Sequence, residues 1–211
     1  MSFQYLVNTA SNITIDNRPT VAQTVSRSGM VRSVSRGNSV WRFTVTPSSG
    51  NFYSELKNYI LDAKTTGKAT TFNLQFDHAG LEFLYDYQGD YTTTTNRNVE
   101  VDPDTYGYNR VIDSTPLASG TYKYRKGDII EVEGYVYEIT ADVTGTAGND
   151  SVYLHRPLIL GSTFSAGTKV ARLGTTSRFS VKCINFPTFT LFGSKQVQWN
   201  GDFVFQEVID P

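Results

Sequence analysis

The chain has 211 residues, a formal net charge of −1 and only 18% charged residues. That length suits one domain or two small ones burying roughly 70% of the unfolded surface without a disulfide or metal staple, and near-neutrality supplies neither the basic field that gathers nucleic acid nor an acidic tail. One cysteine, Cys183, and two histidines, His78 and His155, exclude an internal disulfide and a thiolate metal site. The opening MSFQYLVNTASNIT has no basic segment followed by an apolar run, and nowhere do about 18 apolar residues occur together. A soluble protein without signal peptide or membrane insertion is expected.

The first clear element is VWRFTVTP, in which Trp41, Phe43 and Val45 alternate with Arg42, Thr44 and Thr46, as in a strand with one covered face. NFYSELKNYILDAKTTG changes period: Phe52, Leu56, Tyr59 or Ile60, and Ala63 recur at spacings of three and four, which predicts a helix near 51–65 with Asn51 as N-cap and Lys64 and Gly67 at its C-terminal end. Alternation through Phe72, Leu74 and Phe76, and then through Phe83, Tyr85 and Tyr87, predicts two strands. Residues 88–120, rich in Thr, Asn, Asp and Gly, are expected to form loops and short edge strands. After them short strands recur every eight to twelve residues or so, as a small barrel requires. In QVQWNGDFVFQEVI, Asn200-Gly201 stands between two strand-like runs and predicts a tight hairpin, because both residues tolerate positive φ. The fold class expected is mainly β: a β-sandwich or β-barrel domain with one helix, formed by residues 1–104 and 174–211, with a small β-barrel inserted at 105–173.

Carboxylates are the first candidates for chemistry. YRKGDIIEVEGYVYEIT, residues 124–140, gathers Asp128, Glu131 and Glu133. A glycosidase pair needs two acids about 5 to 10 Å apart with one in an apolar pocket that raises its pKa; Glu131 and Glu133, two apart on a strand, satisfy the distance but not the asymmetry. They are expected on one solvated face, opposite Ile130 and Val132, with Asp128 a turn residue bonding its own backbone. Asp77-His78 lacks a G-x-S-x-G elbow, and His155 is expected at the surface or as a cap. DPDTYG matches a calcium loop at Asp102, Asp104 and Gly107, but Tyr106 replaces an oxygen ligand and Asp113 stands where a bidentate glutamate belongs, so a turn built on Asp and Pro is the better reading. GTAGND lacks the glycine spacing and lysine of a phosphate loop. Cys183, in phase with Phe179 and Val181, reads as a small buried apolar residue. No catalytic, metal or cofactor-binding residue is assigned, no cofactor is implied, and binding residues stay unspecified.

Thirteen tyrosines, among them Tyr85, Tyr87, Tyr91, Tyr106, Tyr108, Tyr122 and Tyr124, suit protein contact surfaces and sugar platforms alike. VWRFTVTP, the helix FYSELKNYILDAKTTGK and TTFNLQF, in that order, resemble the N-terminal sheet-and-helix region of tailed-bacteriophage tail-tip and baseplate proteins. PLASGTYKYRKGDIIEVEGYVYEITADVTGTAGNDSVYLHRPLI is similar to a later segment of the same proteins. With the terminal FVFQEVI these blocks cover about two fifths of the chain.

The resemblance implies a structural virion protein and no enzyme: a distal tail or baseplate adaptor forming a ring, commonly a homohexamer, between the tail tube and the tip or hub, assembled in the host cytoplasm. It places an OB-like barrel on the outer side, without nucleic-acid binding. The alternative is a carbohydrate-binding module touching host surface glycans through Tyr122, Tyr124, Tyr135 or Tyr137. A hydrolase would need Glu131 and Glu133.

Overall fold

The computed structural model describes residues 2–209 except 18–20, 36–38, 67–69, 79, 93–96, 147–148, 163 and 194. Gly67, much of the threonine run at 92–95 and part of the GTAGND loop therefore lie outside the described residues. The chain is mainly β and divides into two compact units, Met1–Phe72 with Val181–Val208, and Asn73–Ser180 with Ile209–Pro211.

The first unit begins with α1 (Ser2–Asn8), β1 (Ala10–Asp16), β2 (Val21–Val25), β3 (Val31–Ser35), β4 (Arg42–Pro47) and α2 (Tyr53–Thr66). β5 (Phe72–Leu74) leads into the second unit, which holds a 3-10 turn at Glu82–Leu84, β6 (Arg97–Val101), α3 (Pro103–Tyr106), β7 (Arg110–Asp113), β8 (Tyr122–Tyr124) and β9 (Ile129–Val132). It continues through β10 (Tyr135–Glu138), β11 (Val143–Thr144), β12 (Asp150–Tyr153) and β13 (Gly167–Leu173). β14 (Phe179–Asn185) returns to the first unit, followed by β15 (Phe189–Leu191), β16 (Val197–Trp199) and β17 (Phe203–Glu207).

In the first unit β4 is the organising strand. Its alternation is realised: Trp41, Phe43 and Val45 are buried while Arg42 is exposed. It pairs antiparallel with β1 on one side and β17 on the other, in a sheet ordered β1-β4-β17-β14-β5. Phe43 sits directly opposite Phe205, and the Glu207 N–H donates to the Trp41 carbonyl at 2.8 Å. α2 buries Leu56, Ile60 and Ala63, spaced four and three apart as one helical face requires. α1, which the sequence reading did not anticipate, buries Phe3, Leu6 and Val7 and stacks Tyr5 on Tyr59 of α2 with centroids 3.9 Å apart. Phe3 also meets Phe205 edge to face at 5.4 Å.

The expected Asn200-Gly201 hairpin is not formed. β16 pairs with β15, while β17 pairs with β4 and β14. The Asn200 N–H donates to the Thr188 carbonyl, and Gly201 at φ 137° turns the chain from one sheet to the next. The dipeptide supplies the predicted backbone freedom, but burial of Phe203 and Phe205 beside Phe43 and Val45 decides where the following strand pairs.

The second unit is a six-stranded sheet ordered β10-β9-β13-β6-β7-β12. Its two end strands meet just past their ends: Ile139 bridges Leu154, the Thr140 N–H donates to the Tyr153 carbonyl and the His155 N–H to the Glu138 carbonyl. The bridge closes the sheet around a core of Val99, Val101, Val111, Ile130, Val132, Tyr137 and Leu173. β9 and β10 join through Glu133 and Gly134 at φ 53° and 81°, both positive as a two-residue primed turn demands. β6 and β7 are internal strands, not the edge strands expected of 88–120, because Val99, Val101 and Val111 are fully buried. With β6 paired to β13, the second unit extends beyond the expected insert of 105–173 at both ends.

The strand expected through Phe83, Tyr85 and Tyr87 is instead the 3-10 turn and an irregular run. Gly80 at φ 92° breaks the extended chain, and its N–H is taken by the Glu82 carboxylate at 2.7 Å. Tyr85 then packs between Phe76 and Phe179. Gly174 admits this path, since a Cβ there would lie 2.8 Å from the Tyr85 carbonyl.

Phe205→Ala is expected to cost about 3–5 kcal/mol in denaturant unfolding, whereas Ile184→Thr on exposed strand surface should change stability by less than about 0.5 kcal/mol.

Candidate functional site

Asp102, Asp113, Asp128 and Glu131 are tied into the fold by hydrogen bonds, while Asp77 and Glu133 are exposed. Glu131 is 6% exposed, contrary to the solvated face expected of it. Its Oε1 accepts from Arg172 Nη1 at 2.6 Å and its Oε2 from the Arg178 N–H at 2.7 Å. The reason is topological: β9 lies between β10 and β13, Arg172 is the registered partner of Glu131 on β13, and all four residues of β9 are buried. Glu133 shares no face with it, because the turn at φ 53° takes it off the strand, 3.4 Å from Lys169. Asp128 is buried and accepts the Arg125 and Gln88 N–H groups at 2.8 and 2.9 Å. Burial pushes its carboxyl up and the two N–H groups offset part of that rise.

Asp77 and His78 are both exposed. Asp102 caps α3, accepting the Thr105 N–H at 3.2 Å and its hydroxyl at 2.7 Å, which hold the carboxyl below its usual range. Asp113, at the calcium-loop position, is fully buried and fully used: Oδ2 accepts Tyr124 at 2.6 Å and Tyr91 at 2.9 Å, and Oδ1 accepts the Thr115 N–H at 2.8 Å. Burial first, then the Asp113 charge, push both phenols up and keep them as donors. The Asp113 carbonyl accepts Lys123 Nζ at 3.0 Å, and that buried ammonium pairs with Asp150 at 2.6 Å. Among the described residues no group of three His, Cys, Asp or Glu side chains is placed to hold a metal ion.

The tyrosines divide in the same way. Tyr124 and Tyr137 are fully buried and cannot meet a glycan. Tyr137 takes the Ile159 N–H on its hydroxyl at 2.9 Å. Tyr122 is half-buried beneath the Arg125 guanidinium, 3.2 Å from its ring centre. His155 is half-buried and caps a strand: Nδ1 accepts the Glu138 N–H at 2.8 Å, and burial with the adjacent Arg156 charge lowers its pKa to about 4. Cys183 is buried, as its alternation predicts, with Sγ 3.2 Å from the Asn185 carbonyl.

What remains at the surface is a ribbon. β1 and β4 pair antiparallel down to Asp16 opposite Arg42, and a long loop of the chain joins them. Inside that loop β2 and β3 pair from Val21–Ser35 to Val25–Val31. The turn is closed by the Ser26 N–H to the Met30 carbonyl, the Met30 N–H to the Ser26 hydroxyl, and Gly29 at φ 77°. Every residue from Gln23 to Val34 is exposed. Val25 is 70% exposed, Val34 66%, Val31 58% and Met30 56%. A second apolar feature lies at the β15–β16 hairpin, where Phe52 bridges Gln196 and the Phe192 N–H donates to the Gln196 carbonyl, leaving both phenylalanines about half exposed. An open depression nearby is lined by Lys64, Phe186, Pro187, Thr188 and Phe189. The most exposed apolar residues of the ribbon belong to a segment for which the sequence analysis gave no expectation. Its signal was VAQTVSRSGMVRSVS, two β-type runs about a Ser-Gly turn without the bulky residues that a core-facing strand carries.

Comparison with models of protein families found no match, and comparison with curated proteins found no relative.

Glu131→Gln is expected to destabilise the protein by about 1–3 kcal/mol, since it weakens two charge-assisted bonds to a buried acceptor. Glu133→Gln should change stability by less than about 0.5 kcal/mol; equal effects in chemical unfolding would contradict the assignment. His155 gives a pH dependence of definite sign. Its folded pKa lies below the unfolded value near 6.5, so its stabilisation is complete above that value and is lost as pH falls toward 4, where the proton displaces the Glu138 N–H. Between about pH 7 and pH 5 the loss should be on the order of 1 kcal/mol after allowance for partial exposure. It should disappear in His155→Gln.

Proposed function

We propose that the chain is a structural subunit of a bacteriophage tail, a ring-forming distal tail or baseplate adaptor joining the tail tube to the tip or hub. The observation that carries this reading is the β2–β3 ribbon. It holds Val25, Met30, Val31 and Val34 in solvent on paired strands instead of in a core, and grouped exposed apolar surface of this kind marks a contact site. A ring needs heterologous contacts, in which one surface of a subunit meets a different surface of the next. An arm carried on a rigid sheet supplies the projecting half of such a contact. The order of the VWRFTVTP, helix and TTFNLQF blocks, and their likeness to tail-tip proteins, set the biological context.

The partners under this reading are further copies of the chain, six in a ring, the tail tube protein on one side and the hub on the other. The subunits assemble in the host bacterial cytoplasm and end in the virion tail. No catalytic role is assigned under this reading. Each subunit contact should bury on the order of 1,000–2,000 Å² with apolar residues at its centre.

Electron microscopy of the purified protein is expected to show closed rings. Val25→Asp with Val31→Asp should leave monomers whose unfolding transition is unchanged, because both side chains are already exposed. A wild-type monomer that turns over a small substrate would contradict the adaptor reading.

A further inference from the structure

We infer that the β2–β3 ribbon docks on the acidic stretch 77–90 of a second copy of this chain, and that charge sets the direction of the contact. The inference rests on the ring reading above and names the two surfaces that meet. Residues 17–54 hold Arg18, Arg27, Arg32, Arg36 and Arg42 and no acidic residue. Residues 69–96 hold Asp77, Glu82, Asp86 and Asp90 and no lysine or arginine. A chain that is nearly neutral as a whole is therefore sharply divided along its length.

Among the described residues, Arg27, Arg32 and Arg42 of the first segment and Asp77, Asp86 and Asp90 of the second are exposed. Arg27 and Arg32 are exposed on the ribbon, and among the described residues neither is paired with a carboxylate. On the acidic stretch, Glu82 takes the Gly80 N–H and Asp90 takes the Tyr122 N–H. Asp77 and Asp86 are left as outward carboxylates, exposed and without an ion-pair partner among the described residues. Half-buried Leu81 and Leu84 lie between them in the chain, apolar surface to match Val25, Val31 and Met30.

The sign pattern also says which contact does not form. Two ribbons face to face would set arginine against arginine, a like-charge arrangement that costs several kcal/mol and rejects a two-fold dimer. Ribbon against acidic stretch joins two different surfaces, the heterologous kind of contact from which a ring is built when its rotation closes. Fixed charges on a projecting arm also steer the encounter before the apolar residues touch.

The test is sedimentation of the full-length protein as wild type, as Arg27→Glu/Arg32→Glu, as Asp77→Lys/Asp86→Lys, and as the four-fold combination. Each charge reversal is expected to weaken self-association by about 10-fold or more, and the combination to return it to within about 3-fold of wild type. Raising salt from about 50 to about 500 mM should weaken the wild type and the combination alike. A wild-type chain that does not associate, or reversals without effect on association, would overturn the inference. So would a rescue confined to the thermal unfolding of the monomer and independent of protein concentration, which would place the contact within one chain. Charge-swap rescue in a protein that never enters a tail would leave the contact standing and remove the adaptor reading, so the two fail separately.

Discussion

The first unit depends on the pairing of β4 with β17. These strands come from opposite ends of the chain, and their register sets Phe43 against Phe205 and ties Glu207 to Trp41 through both backbone and carboxylate. Bringing them together costs loop-closure entropy, which grows only slowly with the length of the intervening chain. A second unit of about a hundred residues can therefore be carried between them without much added cost. The same pairing fixes the base of the ribbon, because β1 closes on the free edge of β4.

The two units use polar residues in opposite ways. In the second unit Asp113, Asp128, Glu131, Lys123 and Arg156 are buried, and Asp113 and Glu131 accept charged or hydroxyl donors with little capacity left over. Burial of this kind holds one arrangement, since each unmatched group in a low-dielectric interior is costly. The first unit keeps an aromatic core of Phe3, Trp41, Phe43, Phe203 and Phe205, with Ser39 and Glu207 the buried polar residues among those described. On the ribbon there is no core at all. It persists as paired backbone with solvent on every described side chain from Gln23 to Val34, a state that gains stability when another surface covers it.

Much of this was legible in sequence where one period dominated. Trp41, Phe43 and Val45 gave β4, Leu56, Ile60 and Ala63 gave α2, and the recurrence of short strands gave a mainly β chain. Sequence failed where tertiary pairing outvoted a local signal. Asn200-Gly201 has the chemistry of a hairpin turn, yet β17 pairs with a strand more than 150 residues away. Glu131 looked solvated because spacing of two describes a strand with one covered face, while β9 lies between β10 and β13 with all four residues buried, and its partner Arg172 lies 41 residues on. The ribbon was missed for a different reason. Arginine and valine in short alternation without bulky residues carry no core signal, and a net charge of −1 conceals a basic arm and an acidic stretch that cancel.

Under the proposed function, this chain is a fixed part of a tail and a neighbour covers its exposed arm there. Immunogold labelling of purified particles, with antibody raised against the barrel unit so that the arm stays unlabelled, tests it most directly. The account predicts label confined to the junction of tail tube and tip, at constant stoichiometry per particle. Particles without label, with the protein recovered only from the soluble fraction of the host, would contradict it.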